Sequence, residues 1–182
     1  MSVISSKGAT VWLTGLSGAG KSTVAAGLQE LLEARDMHTF ALDGDFLREG
    51  LNADLGYGEQ DRLENVRRLG EVALLFARVG FLSIVSAISP YTAGRSAVRE
   101  RHESNGVGFV EIHVATPLEV CEARDPKGLY ARARRGEIPS FTGVSAPYEV
   151  PESPDLALST VGSPHEAVLD VVVVLEKMGL LG

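Results

Sequence analysis

The chain is poor in cysteine. One residue of that type in 182, Cys121, cannot close an intrachain disulfide or build a multi-cysteine metal site, so the fold must rest on its apolar core and a reducing, cytoplasmic setting is expected. It also lacks a long apolar run: no window approaches the roughly 18 residues that a membrane-spanning helix needs. The short apolar stretch Ala9–Leu16 after Lys7 is broken at Gly15 and runs into Gly18-Ala19-Gly20-Lys21 rather than a cleavage pattern, which excludes the signal-peptide reading. Cations are in deficit, 17 Lys and Arg against 24 Asp and Glu for a net charge of −7, so no broad basic surface for nucleic acid or an anionic membrane is expected. A small anionic ligand stays possible, because a few cations in one cleft can oppose the sign of the whole. His38, His102, His113 and His165 are scattered without metal-ligand spacing and read as surface or strand residues. With 45% apolar and 23% charged residues the chain is a folded domain rather than a disordered one.

Strand-like and helix-like segments alternate. Thr10–Thr14 is a short apolar run ending at glycine, and Lys21–Leu32 follows with Val24, Leu28, Leu31 and Leu32 at helical spacing. Thr39–Leu42 predicts a second strand. A helix over Asp61–Val79 carries Leu63, Val66, Leu69, Ala73 and Phe76, and Phe81–Ile88 is continuous enough in apolar residues for a buried parallel strand. A helix near Ala93–His102, a strand over Phe109–Ala115, and a helix with Pro117 in its first turn and Thr116 as its cap come next. Residues 125–154 break the rhythm with five prolines and the cations Lys127, Arg132, Arg134 and Arg135, and read as a lid holding a short helix near Leu129–Arg135. A strand at Asp155–Ser159 and a helix over Pro164–Met178 complete one domain, 1–182: a mainly parallel sheet with helices on both faces.

Gly15-Leu16-Ser17-Gly18-Ala19-Gly20-Lys21-Ser22 satisfies G-x-x-x-x-G-K-[ST], with Thr23 after it, between a predicted strand and a predicted helix. Glycines let successive backbone N–H groups turn inward around phosphate oxygens, with the positive end of the helix behind them. Lys21 is expected to span the β- and γ-phosphates, and the Ser22 hydroxyl to enter the shell of a magnesium ion. That is ATP or GTP binding, and a phosphotransferase needs in addition an acceptor site and a group that orients or deprotonates the acceptor.

Asp43-Gly44-Asp45 closes the second predicted strand, where open α/β sheets place ligand chemistry. One carboxylate can orient magnesium and the other accept a hydroxyl proton, or both can be the solvated carboxylates of an Asx turn; the pair alone does not decide. Arg62 and Asn65, three apart, share one side of a predicted helix.

These residues resemble the adenylyl-sulfate (APS) kinase family over nearly the whole chain. The likeness rests on the phosphate loop, Leu42-Asp43-Gly44-Asp45, Gly50-Leu51-Asn52, Asp54-Leu55-Gly56-Tyr57, Asp61 to Arg68, Ile88-Ser89-Pro90-Tyr91, Asp125-Pro126-Lys127-Gly128-Leu129-Tyr130, Phe141-Thr142-Gly143 and Ala146-Pro147-Tyr148-Glu149. It implies a three-layer P-loop kinase fold with a mobile lid, ATP and Mg2+ as cofactors, and phosphorylation of the ribose 3′-hydroxyl of adenosine 5′-phosphosulfate. By the same resemblance Tyr57 and Phe141 sandwich the substrate adenine with Thr142 beside them, Arg48 and Arg62 hold the phosphosulfate, and Asn65 with the Ile88-Ser89 backbone aligns the ribose. Asp45 is then nearest the 3′-hydroxyl, with Asp43 beside the magnesium, and Lys127 arrives with the lid. Ser89, a phosphoserine in some family members, has no neighbouring base and is expected to position rather than to carry the phosphoryl group. A homodimer is common in the family.

The sequence departs from the family at Phe46, where asparagine is usual, at Ala87, usually phenylalanine, and at Thr92, Gly94 and Ser96 around Arg95. Phe46 and Ala87 would be a volume-conserving exchange if they touch. The changes around Arg95 would alter the field at the acceptor site. A divergent paralogue acting on another nucleotide-linked anion, and a catalytically silent nucleotide-binding subunit, are the alternatives to APS phosphorylation.

Overall fold

A computed structural model describes residues 8–181; Lys7 and the outermost residues of the expected 1–182 domain lie outside the described residues. The elements are β1 (Ala9–Thr14), α1 (Lys21–Glu33), β2 (Thr39–Asp43), α2 (Gly44–Leu47), α3 (Glu59–Arg78), β3 (Leu82–Ser86), α4 (Thr92–Glu103), β4 (Gly108–Val114), α5 (Leu118–Arg124), α6 (Leu129–Arg134), β5 (Leu156–Leu158) and α7 (Pro164–Lys177). The five strands form one all-parallel sheet in the order β2-β3-β1-β4-β5, with Val11 of β1 in register with Ile84 of β3 and Val110 of β4.

Alternation along the buried strands divides the core in two. Val11, Leu13, Ile84, Val110 and Ile112 face Leu28 and Leu32 of α1 and Val171 and Leu175 of α7. Trp12, Leu42, Val85 and Phe109 point the other way, onto Leu69 and Ala73 of α3 and Val98 of α4. The expected doubly covered sheet and P-loop kinase fold are therefore present, and its carboxyl edge carries the loops after β1, β2, β3 and β5. The lid segment holds α6 and a bridge between Thr142 and Ala146. No described helix is long and apolar enough to cross a membrane.

Three local expectations are corrected. Pro117 is the N-cap of α5 rather than its first residue, and Thr116 does not cap the helix: its hydroxyl donates to Ala19 O at 2.9 Å and accepts from Thr160 N at 3.2 Å. The single turn α2 is unforeseen, because four residues carry no periodicity; Asp43 caps it by accepting from Asp45 N at 2.8 Å. His102 is neither a surface nor a strand residue. It is fully buried on α4, bonded to Thr10 Oγ1 at 2.9 Å and Val98 O at 2.8 Å, and burial lowers its basicity.

Candidate active site

A cavity of about 960 Å3 opens at the carboxyl edge of the sheet. That is near the upper limit for single-ligand pockets, about 300–1,000 Å3, and leaves room for more than one nucleotide. Every residue that the sequence assigned to a ligand lines it except Gly15 and Ala19, which stand behind the wall.

One side is the phosphate loop. Gly18 (φ 73°) and Gly20 (φ 99°) adopt left-handed backbone, and a Cβ on Gly20 would stand 2.6 Å from Thr160 Oγ1, so only glycine fits. The loop is also held from behind, by residues the sequence did not single out. Thr160 Oγ1 and Thr116 Oγ1 both donate to Ala19 O, at 2.7 and 2.9 Å. Arg124, at the cavity wall, donates to Gly18 O at 3.3 Å and to Thr160 Oγ1 at 2.7 Å. Tying the carbonyls outward leaves the amides free to converge on an anion. Lys21 donates to Leu16 O at 2.7 Å; burial pulls its ammonium down to about 8, against the raising pull of Asp45, Cys121 and Asp43. Ser22 Oγ donates to Asp43 Oδ2 at 2.8 Å and lies 3.1 Å from Ser86 Oγ.

The opposite side is made of side chains. Asp45, on α2, forms an exposed pair with Lys127 of the lid at 2.5 Å, and this hydrogen bond lifts the Lys127 ammonium above its ordinary value. Arg48 donates to Leu55 O at 3.2 Å and Gly56 O at 2.9 Å, and its guanidinium carbon lies 4.4 Å from the centre of the Tyr57 ring. Tyr57 is 62% exposed and lines the cavity. Phe141 is buried, edge-on to Tyr130 at 5.0 Å, and presents to the same cavity. Arg62 joins the two: it donates to Tyr57 O at 2.7 Å, to Ser140 O at 2.5 Å and to Thr142 Oγ1, gripping the lid on either side of Phe141. Burial lowers the Arg62 guanidinium from its usual value.

Ser89 reaches the cavity wall but its hydroxyl is occupied: it accepts from Trp12 Nε1 at 3.0 Å and donates to Thr14 Oγ1 at 2.9 Å. Its backbone sits at φ 41°, a left-handed conformation costly for a non-glycine residue, and Arg95 donates to its carbonyl at 2.7 Å. Arg132 lines the cavity, whereas Arg134 pairs with Glu122 at 2.9 Å and Arg135 with Glu137 at 2.6 Å.

One expectation about the departures from the family fails. Phe46 is 70% exposed and stands outside the cluster that buries Ala87, so the two do not exchange volume. Of the changes around Arg95, Thr92 accepts from the Arg95 guanidinium at 3.2 Å, and the same guanidinium holds the Ser89 carbonyl at the cavity wall. Arg95 is buried in an ion pair with Glu111 at 2.8 Å, and Gly94 packs so closely on α3 that a Cβ would stand 3.2 Å from Leu63 Cδ2.

The adenylylsulphate kinase family model matches residues 7–159. An adenylyl-sulfate kinase from Saccharomyces bayanus is 56% identical over 153 residues, 84% of this chain and 76% of that protein. One from Emericella nidulans is 50% identical over 96% of this chain and 88% of its own length. Among solved structures, the Mycobacterium tuberculosis APS kinase in complex with AMPPNP and APS superposes with a TM-score of 0.92 at 50% identity, covering 94% of this chain and 99% of that one.

Proposed function

The chain belongs to the adenylylsulphate kinase family, and from that membership and the two-walled cavity we infer that it transfers the γ-phosphoryl group of ATP to the ribose 3′-hydroxyl of adenosine 5′-phosphosulfate. The products are 3′-phosphoadenosine 5′-phosphosulfate and ADP. The observation that carries the reading is the meeting, in one cavity, of a complete phosphate loop with Asp45, Arg48, Tyr57, Arg62, Asn65 and Phe141.

In this reading ATP lies with its phosphates on the loop amides of Gly18 to Ser22 and on Lys21. The adenine of the acceptor lies between Tyr57 and Phe141, where stacking is worth about 1–3 kcal/mol per base. Arg48 and Arg62 face its phosphosulfate, for which a planar guanidinium fork is well shaped. Asp45 takes the 3′-hydroxyl proton as the ribose oxygen bonds to the γ-phosphorus and the bond to the β-γ bridging oxygen breaks. Lys127 moves from Asp45 toward the incoming charge as the segment 125–154 closes as a lid. Ser89 positions the ribose through its backbone, since its hydroxyl is already bonded on both sides.

Ser22 Oγ and Asp43 Oδ2, close together at the wall, are the hard oxygen donors that Mg2+ takes beside phosphate oxygens and water, so they fit the ion. Held by these two residues, the ion would supply neutralisation of phosphate charge. Residues 1–182 act as one domain in a cytoplasmic setting, and a homodimer is carried over from the family, checked by light scattering.

The test incubates the protein with Mg-ATP and, separately, APS and several other nucleotide-linked anions, and identifies each phosphorylated product. Turnover of APS supports the reading. Turnover of another anion without APS, or of none, overturns it in favour of a divergent paralogue or a silent subunit.

A further inference from the structure

Among the described residues one buried side-chain polar atom has no hydrogen-bond partner: Asn52 Oδ1. Asn52 is fully buried and lies in the segment that joins α2, which carries Asp45, to α3, which carries Arg62 and Asn65. Its backbone is bonded at both ends, the N–H donating to Leu47 O at 2.8 Å and the carbonyl accepting from Leu55 N at 3.1 Å. Its side-chain amide Nδ2 donates to Asn65 Oδ1 at 2.9 Å.

This bond sets a polarity. A carboxamide has a donor end and an acceptor end, and with its oxygen turned to Asn52 the Asn65 amide keeps its NH2 group, which has no protein partner among the described residues, for the cavity that it lines. Reversing the Asn52 amide would point Oδ1 at Asn65, turn the Asn65 oxygen toward the ligand, and leave an NH2 group rather than a carbonyl unpaired in the core. An orphaned N–H is the rarer state of the two. The lone unsatisfied oxygen therefore marks an arrangement in which core hydrogen bonding is incomplete while a donor faces the site.

We propose that Asn52 is a positioning residue that fixes the Asn65 amide with its donor end toward the acceptor nucleotide, so that Asn65 selects a ligand presenting an oxygen or nitrogen acceptor there. The proposal rests on the assignment of the Asn65 wall to the acceptor made above. Asn52 touches no ligand and acts only through Asn65.

Its test is a double-mutant cycle with Asn52→Leu and Asn65→Ala, reading KM for each substrate and kcat. Asn52→Leu keeps the branching at Cγ and removes the bond; it is expected to raise the acceptor KM about tenfold with ATP KM and kcat unchanged, and to add nothing in the Asn65→Ala background. An equal rise in both backgrounds, or a matching rise in ATP KM, overturns the proposal by making Asn52 a general support of its loop. Should Asn52→Leu fail to fold, Asn52→Asp serves: its carboxylate can only accept, which turns the Asn65 amide round, and a wild-type acceptor KM then refutes the idea. If the wild-type protein does not phosphorylate APS, the functional reading fails separately. The Asn65 side-chain amide resonances of the ligand-free protein then decide, a shift in the Asn52 variant supporting the proposal and no shift refuting it.

Discussion

Around the phosphate loop the cavity wall is backbone, held from behind by the hydroxyls of Thr116 and Thr160 and by Arg124. Across from it the wall is side chains, contributed by α2, α3, the end of β3 and the lid. Lys21 is buried, whereas Asp45, Lys127 and Tyr57 are largely exposed. The difference teaches where each half gets its order. The donor half is pre-formed by left-handed glycines and tied carbonyls and needs no ligand to take its shape. The acceptor half is held by few bonds, chief among them those by which Arg62 ties Tyr57 O to Ser140 and Thr142 of the lid and the pair between Lys127 of the lid and Asp45.

The sharpest way to break the comparison is to remove one group from each wall and ask which substrate notices. Asp45→Asn on the acceptor wall is expected to lower kcat about 10²–10⁴-fold, the range for losing a general base, with ATP KM unchanged. A kcat within a factor of three of wild type would remove Asp45 from the chemistry. Lys21→Met on the donor wall is expected to cost about 10²–10³-fold in kcat, as for other groups aimed at developing charge, and to raise ATP KM while leaving the acceptor KM alone. An effect confined to the acceptor KM would mean that the two walls are not separate.

The asymmetry also governs what could be read without a structure. The donor half follows from eight consecutive residues, because a loop that wraps phosphate with its own amides is local by nature. Its supports were invisible: Thr160 and Thr116 meet Ala19 only after the sheet has brought the ends of β4 and β5 beside β1, and nothing in a threonine's neighbours announces that. On the acceptor side the pair Asp43 and Asp45 stood out from its place at a strand end, but the role of Asp45 and the choice of Tyr57 and Phe141 came by likeness to a family, since segments so far apart in the chain share no periodicity. Long amphipathic helices such as α3 and α7 were legible from their patterns. The turn α2 was not, and Thr116 looked like a cap only because the residue before a proline so often is one.

Smaller effects sharpen the contrast within the acceptor half. Tyr57→Ala and Phe141→Ala are each expected to raise the acceptor KM about 10–100-fold, following the worth of base stacking. Phe141→Ala alone should also lower the melting temperature, because Phe141 is buried against Tyr130 while Tyr57 is exposed. Equal losses of stability would contradict that division. On the donor side pH gives a comparable handle. Burial lowers Lys21 to about 8, so below that value the free enzyme already carries the ammonium that phosphates require. Above it, ATP must bind together with a proton, and kcat/KM for ATP should fall about tenfold per pH unit, since this parameter reports the free enzyme. Bound phosphate restores the charge, so kcat at saturating ATP should hold to higher pH. A kcat/KM that stays level to pH 9.5 would mean that Lys21 keeps its proton in the empty site.

The least effect is expected where the chain departs most visibly from its relatives. Phe46 follows Asp45 directly, yet its ring is 70% exposed, lines no part of the cavity and shares no cluster with Ala87. Phe46→Asn should therefore move stability by no more than about 0.5 kcal/mol, as at other surface positions. The acceptor KM should change less than threefold, and ATP KM not at all. A loss of tenfold or more in acceptor affinity would bring the ring to the bound nucleotide, and because the ring lines no part of the cavity, that contact would have to form as α2 and the lid close. The acceptor wall would then owe more of its shape to the ligand than Arg62 alone provides, which is the direction in which it already differs from the phosphate loop.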